Sequence, residues 1–313
     1  MMTQHHFLQF KIIQIENGKI VIQDKKHEDY HGGEADMESL FDLNIEKVLE
    51  HWGTEHAIRE IIANALDEQV LTGTKEIEIS YANGVCHIRD YGRGIQYVHF
   101  TQNENNEKSN SAKLIGKFGV GLKDALGVFY RNNIDVVIHS KYSSISLRMA
   151  KKPGFDVQTL HAIFAEPQYP TMVGTDVVLS CVTESDVQNA KSMFLMFNEG
   201  MALLETTEYG EVYMNKPDGK SCIYANGVQI ASEDNFLFSY NITSMNAKTR
   251  NALNRERTNV GRSAYSETIK NILKKCSSMN VIKLLISDVN NVMKGTNKDE
   301  TGWVDIASYA AKK

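Results

Sequence analysis

Four turn dipeptides, Asn17-Gly18, Asn83-Gly84, Asp218-Gly219 and Asn226-Gly227, set the strongest limit on how this chain can fold. Asn-Gly and Asp-Gly favour the positive backbone angles of two-residue hairpins, so each draws its flanking segments into antiparallel strands. The flanks agree: apolar and polar residues alternate from Phe7 to Gln23, and again over Ile77 to Tyr81 and Val85 to Arg89. Further strands are expected at Ile134 to His139, Ser144 to Met149, Asp176 to Cys181, Gly210 to Met214 and Ser221 to Ile230. Between Ile45 and Val70 the period changes to a helical one, with Val48, Leu49, Trp52, Ile58, Ile61, Ile62, Ala65 and Leu66 on one face. Shorter helices are expected at Gly121 to Tyr130, Glu184 to Phe197 and Ala264 to Cys276. Hairpins interleaved with helices predict an α+β fold.

A length of 313 residues accommodates two domains of ordinary size, and a boundary is expected near residue 200. The residues after Lys298 carry little pattern and read as a tail. The net charge of −5 argues against a general polyanion binder. No apolar run approaches the roughly 18 residues of a membrane span, and the N-terminus lacks a small-residue cleavage site. Cys86, Cys181, Cys222 and Cys276 are scattered without a C-x-x-C pair, which suits reduced thiols in a cytoplasmic protein.

Three short motifs carry the chemistry. Glu60 and Asn64 lie one turn apart on the long helix, with Asp67 completing the segment. A carboxylate there can polarise a water for attack on a phosphoryl group, and an amide oxygen can join the shell of a magnesium ion. Taken alone, the same stripe is also an ordinary polar helix face. Asp90-Tyr-Gly92-Arg-Gly94 ends a strand; an ionised Asp90 accepts a hydrogen bond from an exocyclic amine, and the glycines allow close approach to a flat ring. By itself this is also a common turn composition. Gly116-Lys-Phe-Gly119-Val120-Gly121-Leu122-Lys123 opens a helix, where exposed N–H groups and the helix dipole favour an anion. Its spacing is neither that of a Walker A loop nor that of a Rossmann fingerprint. The polar stretch Gln96 to Lys113 between the second and third motifs reads as a mobile flap.

REIIANALDE, IRDYGRGI, GKFGVGLKDAL and Gly174-Thr175, in that order, resemble the nucleotide-binding boxes of the GHKL ATPases over about residues 56 to 180. That superfamily includes DNA gyrase B subunits, the ninety-kilodalton heat-shock chaperones, MutL, MORC proteins and sensor histidine kinases. The resemblance implies a Bergerat-fold α/β sandwich over residues 1–200: a mixed, mostly antiparallel sheet with helices on one face, holding ATP and Mg2+. It implies Glu60 as general base, Asn64 as magnesium ligand and Asp90 as adenine reader. Gly92 and Gly94 lie beside the ring, and Thr175 supports Asp90 through a water. Gly116, Gly119, Val120, Gly121 and Leu122 line the phosphate cradle, Lys123 neighbours a phosphate or solvent, and Asn103 to Lys113 form a lid.

Glu60, and no clear helical hairpin to supply an acceptor histidine, place the chain with the hydrolysing branch. That branch implies a smaller, ribosomal-protein-like transducer domain at 201–298, followed here by the tail 299–313. Cys222 to Ile230 looks like its strand-turn-strand. The segment Leu253 to Arg262 resembles the chaperone stretch with a phosphate-sensing arginine, which puts that role on Arg262, then Arg257, then Arg255. Lys248, Arg250, Arg255, Arg257, Arg262, Lys270, Lys274, Lys275 and Lys283 face only Glu256 and Glu267, nine against two. Phosphate sensing, nucleic-acid binding through 248–283 and plain solubility compete for that excess. The reading is a slow ATPase and nucleotide-driven dimer clamp; a chaperone-like remodeller and a non-catalytic ATP-sensing scaffold are the alternatives.

Overall fold

The computed structural model describes residues 10–16, 19–25, 38–44, 52–101, 114, 121–152, 154–216, 220–255 and 260–312. They belong to two compact units, residues 1–37 and 38–313, so the boundary expected near residue 200 falls inside the second unit. The first unit contains the expected hairpin. Strands β1 (Phe10–Glu16) and β2 (Lys19–Lys25) pair antiparallel, with Ile13 opposite Ile22 and Glu16 opposite Lys19.

The second unit is α+β and contains two sheets. The larger has seven strands in the order β3 (Ser39–Asp42), β8 (Gln158–Ala165), β7 (Ser144–Lys151), β6 (Asp135–Ser140), β9 (Thr175–Ser180), β5 (Val85–Arg89) and β4 (Glu78–Ala82). Every pairing in it is antiparallel. The β4–β5 turn has positive φ at both Asn83 (51°) and Gly84 (81°), the twist that two-residue hairpins require. Alternate residues of the sheet, Cys86, Ile88, Val136, Ile138, Val177 and Leu179, enter one apolar core. They pack there against α1 (Thr54–Thr72), α2 (Tyr97–Thr101), α3 (Gly121–Arg131) and α4 (Glu184–Ser192).

Helix α1 follows the predicted period: Ile58, Ile61, Ile62, Ala65 and Leu66 are all buried. Each buried isoleucine contributes about 2 kcal/mol through removal from water. The helix starts after Gly53, whose N–H donates to His56 Nδ1 at 3.1 Å. It ends at Gly73, left-handed at φ 64°, whose N–H donates to the Gln69 carbonyl. The earlier part of the expected helix, with Val48 and Leu49, lies outside the described residues.

The smaller sheet runs β10 (Leu203–Thr206), β11 (Gly210–Met214), β14 (Phe238–Ile242), β12 (Ser221–Ala225) and β13 (Val228–Glu233), with β12 parallel to β14. Val212, Ile223, Phe238 and Tyr240 form a second core with helices α6 (Ser266–Lys275), α7 (Met279–Val289) and α9 (Val304–Lys312). Helix α5 (Ala247–Arg255) precedes them. The segment after Lys298, expected to be a tail, forms α8 (Asp299–Gly302) and α9 and buries Glu300, Thr301, Ile306 and Ala310. Helices this short give too few turns for a period to show. The smaller sheet meets the segment after α4 where the Gln229 N–H donates to the Met193 carbonyl and the Leu195 N–H to the Gly227 carbonyl, both at 2.8 Å.

Candidate functional site

Glu60, Asn64 and Glu68 follow one another at four-residue steps and so make a single stripe along α1. The far end of that stripe is fixed to the turn after β5. One carboxylate oxygen of Glu68 accepts from the Arg93 N–H and Nε, and the other from Nη2, each at 2.9 Å. A Cβ on Gly92 would lie only 2.3 Å from Glu68 Cγ, so the helix and the turn touch. The first two motifs are thereby brought together by two residues, Glu68 and Arg93, that the sequence reading passed over. Continuing the four-residue step past Asn64 was the available signal for Glu68.

Asp90 is 7% exposed, at the end of β5. Its backbone N–H donates to the Thr175 carbonyl at 2.9 Å, and its Oδ1 accepts from the Gly92 N–H at 2.8 Å. Asp90 and Thr175 are thus joined directly through their backbones. Burial raises the Asp90 carboxyl above its ordinary value and the charge of Glu68 adds to the rise, while the Gly92 and Thr175 hydrogen bonds oppose it. Behind it, Gly174 has φ +82°, and a Cβ there would stand 2.0 Å from the Asp90 carbonyl oxygen. Only a glycine allows this approach of two backbones. Thr175 Oγ1 in turn accepts from the Ile95 N–H at 3.2 Å and steadies the segment beyond Gly94.

Helix α3 packs along α1. Its C-terminal end is tied to the start of α1: Arg131 Nη2 donates to the Trp52 carbonyl, and Asn132 Nδ2 donates to Thr54 Oγ1 at 3.1 Å. From there α3 runs back along α1. At 1.5 Å per residue, Gly121 and Asn64 are each ~15 Å along their helices from that junction. The N-terminus of α3 is thus about as far along the pair of helices as Asn64. Gly121 is buried and Leu122 half-buried. Lys123 is half-buried with its ammonium 5.3 Å from the centre of the Phe41 ring; burial lowers its pKa. Gly116, Gly119, Val120 and the proposed lid Asn103 to Lys113 lie outside the described residues.

At the base of the stripe, Glu60 Oε1 lies 2.6 Å from Arg59 Nη2. The side chains are 12% and 2% exposed. Asp67 is buried on the same helix.

Arg262 is not brought to this group. Its Nε donates to Glu233 Oε1 at 2.8 Å, Nη2 donates to Glu233 Oε2, and Nη1 donates to Asp299 Oδ2 at 2.7 Å. The seam with the segment that follows α4, a helix packed on α1, is at Val228, the opposite end of β13. Five strand steps separate it from Glu233, ~17 Å at about 3.4 Å per residue. Arg257 and the side chain of Arg255 lie outside the described residues.

The basic excess of 248–283 also looks different in three dimensions. Lys274 pairs with Asp305 at 3.1 Å and Lys275 with Glu208 at 2.8 Å, besides the pairing of Arg262. The acids come from segments distant in sequence, which a local count of charge cannot see.

Among the described residues no helix is long and apolar enough to cross a membrane, and no three His, Cys, Asp or Glu side chains converge as a stand-alone metal site.

The family described as Mycoplasma pneumoniae MPN635 N-terminal domain matches residues 185–279, from α4 to the start of α7. One uncharacterized protein of Mycoplasma pneumoniae is 38% identical over 244 residues, covering 76% of this chain and 98% of the relative. A second uncharacterized protein of that organism is 32% identical over 133 residues, 42% of this chain and 38% of the relative. The chain belongs to one family with the first of these Mycoplasma pneumoniae proteins.

Proposed function

We propose that this protein binds ATP with magnesium and hydrolyses it slowly, as a member of the GHKL superfamily that its four motifs resemble. The observation that carries the reading is the junction of Asp90 with Gly174-Thr175, tied to the Glu60–Asn64 stripe through Glu68 and Arg93. Three segments far apart in sequence, 60–68, 90–94 and 174–175, meet there, each with a residue type that one part of a nucleotide needs.

Asp90 accepts the exocyclic amine of adenine, with Gly94 leaving room for the ring. The dipole of α3 and the N–H groups at its start favour the phosphates. Asn64 would supply one oxygen ligand to magnesium, which would neutralise charge on the phosphates. Glu60 orients a water and takes its proton as the water oxygen bonds to the γ-phosphorus and the bond to the bridging oxygen breaks. The products are ADP and inorganic phosphate. Arg262 is left out of this reading because two carboxylates hold it, so an arginine acting on the γ-phosphate has to be sought at Arg257 or Arg255. The pairing of Lys274, Lys275 and Arg262 accounts for three of the nine cations and weakens the case for nucleic acid. A dimer clamp remains the form of action that the resemblance supports.

The test is a pair of measurements on Glu60→Ala. ATP affinity in magnesium buffer should stay within a few-fold of the native protein, while turnover falls by ~10² or more. Native turnover in this variant removes Glu60 as base. Absence of adenine-nucleotide binding by the folded native protein removes the proposal altogether.

A further inference from the structure

Arg59 is the largest fully buried side chain among the described residues, and its position is unusual for a charged residue. Residues adjacent in a helix point about 100° apart and do not ordinarily face each other. Yet the Arg59 guanidinium turns to meet Glu60 Oε1 at 2.6 Å. It is also stacked on the Trp52 ring, 5.3 Å from ring centre to Cζ. Trp52 is itself 4% exposed, and its carbonyl accepts from Arg131 at the end of α3. The chain of contacts runs from α3 through Trp52 and Arg59 to the carboxylate of Glu60.

We infer that Arg59 is the positioning residue of this active site, holding the Glu60 carboxylate in its working orientation through a guanidinium clamped on Trp52. The inference rests on the ATPase reading above. A guanidinium is permanently charged and planar, so it both favours the ionised carboxylate and fixes the direction of its oxygens. A flexible exposed lysine does neither as well. Burial restrains the arrangement, since both Trp52 and Arg59 are almost wholly removed from solvent. The link to Arg131 adds a second consequence. A shift of α3, whose start the phosphates are proposed to touch, would be felt at the base through Trp52. Arg59 touches no reacting atom and supplies no proton; its effect is on where Glu60 points.

A displacement of roughly 1 Å at a catalytic group can cost ~10² in rate. Steady-state ATP turnover is therefore measured for the native protein, Arg59→Met, Arg59→Lys, Glu60→Gln and the double variant Arg59→Met/Glu60→Gln. Arg59→Met, which keeps the apolar stem, should lower kcat by ~10²-fold with KM for ATP within three-fold. Arg59→Lys should recover part of the loss, and added guanidinium ion should raise kcat of Arg59→Met but not of Glu60→Gln. The double variant should be no slower than Glu60→Gln. Folding of each variant is checked by its thermal transition and by ATP binding. A folded Arg59→Met with native kcat overturns the inference while leaving the ATPase reading intact, as does a double variant in which the two losses multiply. A fall in kcat and ATP affinity together in both Arg59 variants also overturns it, since that marks a purely structural residue. A native protein without turnover overturns the reading beneath it.

Discussion

The buried polar residues of the two sheets are used in opposite ways. In the smaller sheet they close on one another. Glu300, fully buried, accepts from the Leu237 N–H at 2.8 Å, the Phe238 N–H at 3.2 Å and the Tyr240 hydroxyl at 2.9 Å. Burial pushes its carboxyl up to about 7. Beside it Glu233 takes Arg262 and the Tyr265 hydroxyl, and Asp299 completes the set. Such a network joins α8 to the sheet and has the signature of a structural fastening. In the larger sheet the polar residues instead line up along α1 and around one backbone junction. There Asp90 is held in place at a cost: burial raises its pKa although the Gly92 N–H donates to its carboxylate. A site kept unfavourable for the protein alone is where a ligand is expected to restore the balance.

The sharpest way to break this contrast is at Gly174. An alanine there has both a positive φ and a Cβ 2.0 Å from the Asp90 carbonyl. One of the two backbones must move, at ~3 kcal/mol or more. Gly174→Ala should lower the thermal transition by many degrees and abolish ATP binding, measured by a nucleotide-dependent shift of that transition. A variant with native stability and native binding shows that the junction does not organise the site.

Next in size is Asp90→Asn, where stability and affinity should move in opposite directions. The folded carboxyl has a pKa above 3.8, its ordinary value. A carboxyl raised on folding contributes its stability fully below the unfolded value and loses it as pH rises through the folded one. At neutral pH the ionised Asp90 is therefore a burden, and the amide should leave the protein as stable or more so. That gain should vanish as pH falls toward 3.8. ATP affinity should drop by ~10² at neutral pH, since the acceptor for the exocyclic amine becomes in part a donor. Chemical denaturation at two pH values and nucleotide titration read both effects. Loss of stability at pH 7 with unchanged affinity assigns Asp90 to the framework instead.

The parts legible in the sequence were those with a short period or a short motif. Asn83-Gly84 set its hairpin, and Ile58, Ile61, Ile62, Ala65 and Leu66 set the buried face of α1, because both depend on neighbours within a few residues. The pocket motifs were visible for the same reason. What joins them was not. Glu68 finds Arg93 across 25 residues, and Thr175 finds Asp90 across 85, contacts that no local pattern encodes. Arg262 shows the same limit from the other side: a motif-like neighbourhood suggested a phosphate, while Glu233 and Asp299, 29 and 37 residues away, hold its guanidinium. The folding of residues 299–312 was hidden because its buried anchors are polar: Glu300 satisfies partners at the sheet, and Thr301 donates to Asp288 of α7.

The smallest effect is expected at Arg262, and its direction decides which side of the contrast that residue belongs to. Glu233 is 8% exposed but the Arg262 side chain is 47% exposed. Breaking a fully buried pair costs about 3–5 kcal/mol; solvent at the arginine should reduce this to ~1–2 kcal/mol for Arg262→Met. The loss should appear in denaturant midpoint with an unchanged slope, and ATP turnover per folded molecule should remain native. Here the pairing itself carries the argument. A guanidinium already gripped by two carboxylates can serve a distant phosphate only if binding releases it, and release would leave Glu233 buried without its partner. Should Arg262→Met instead lose turnover by ~10³ with little change in stability, as removal of a phosphate-contacting arginine does in other systems, that release must occur. The smaller sheet would then be part of the catalytic cycle rather than a fastening beside it.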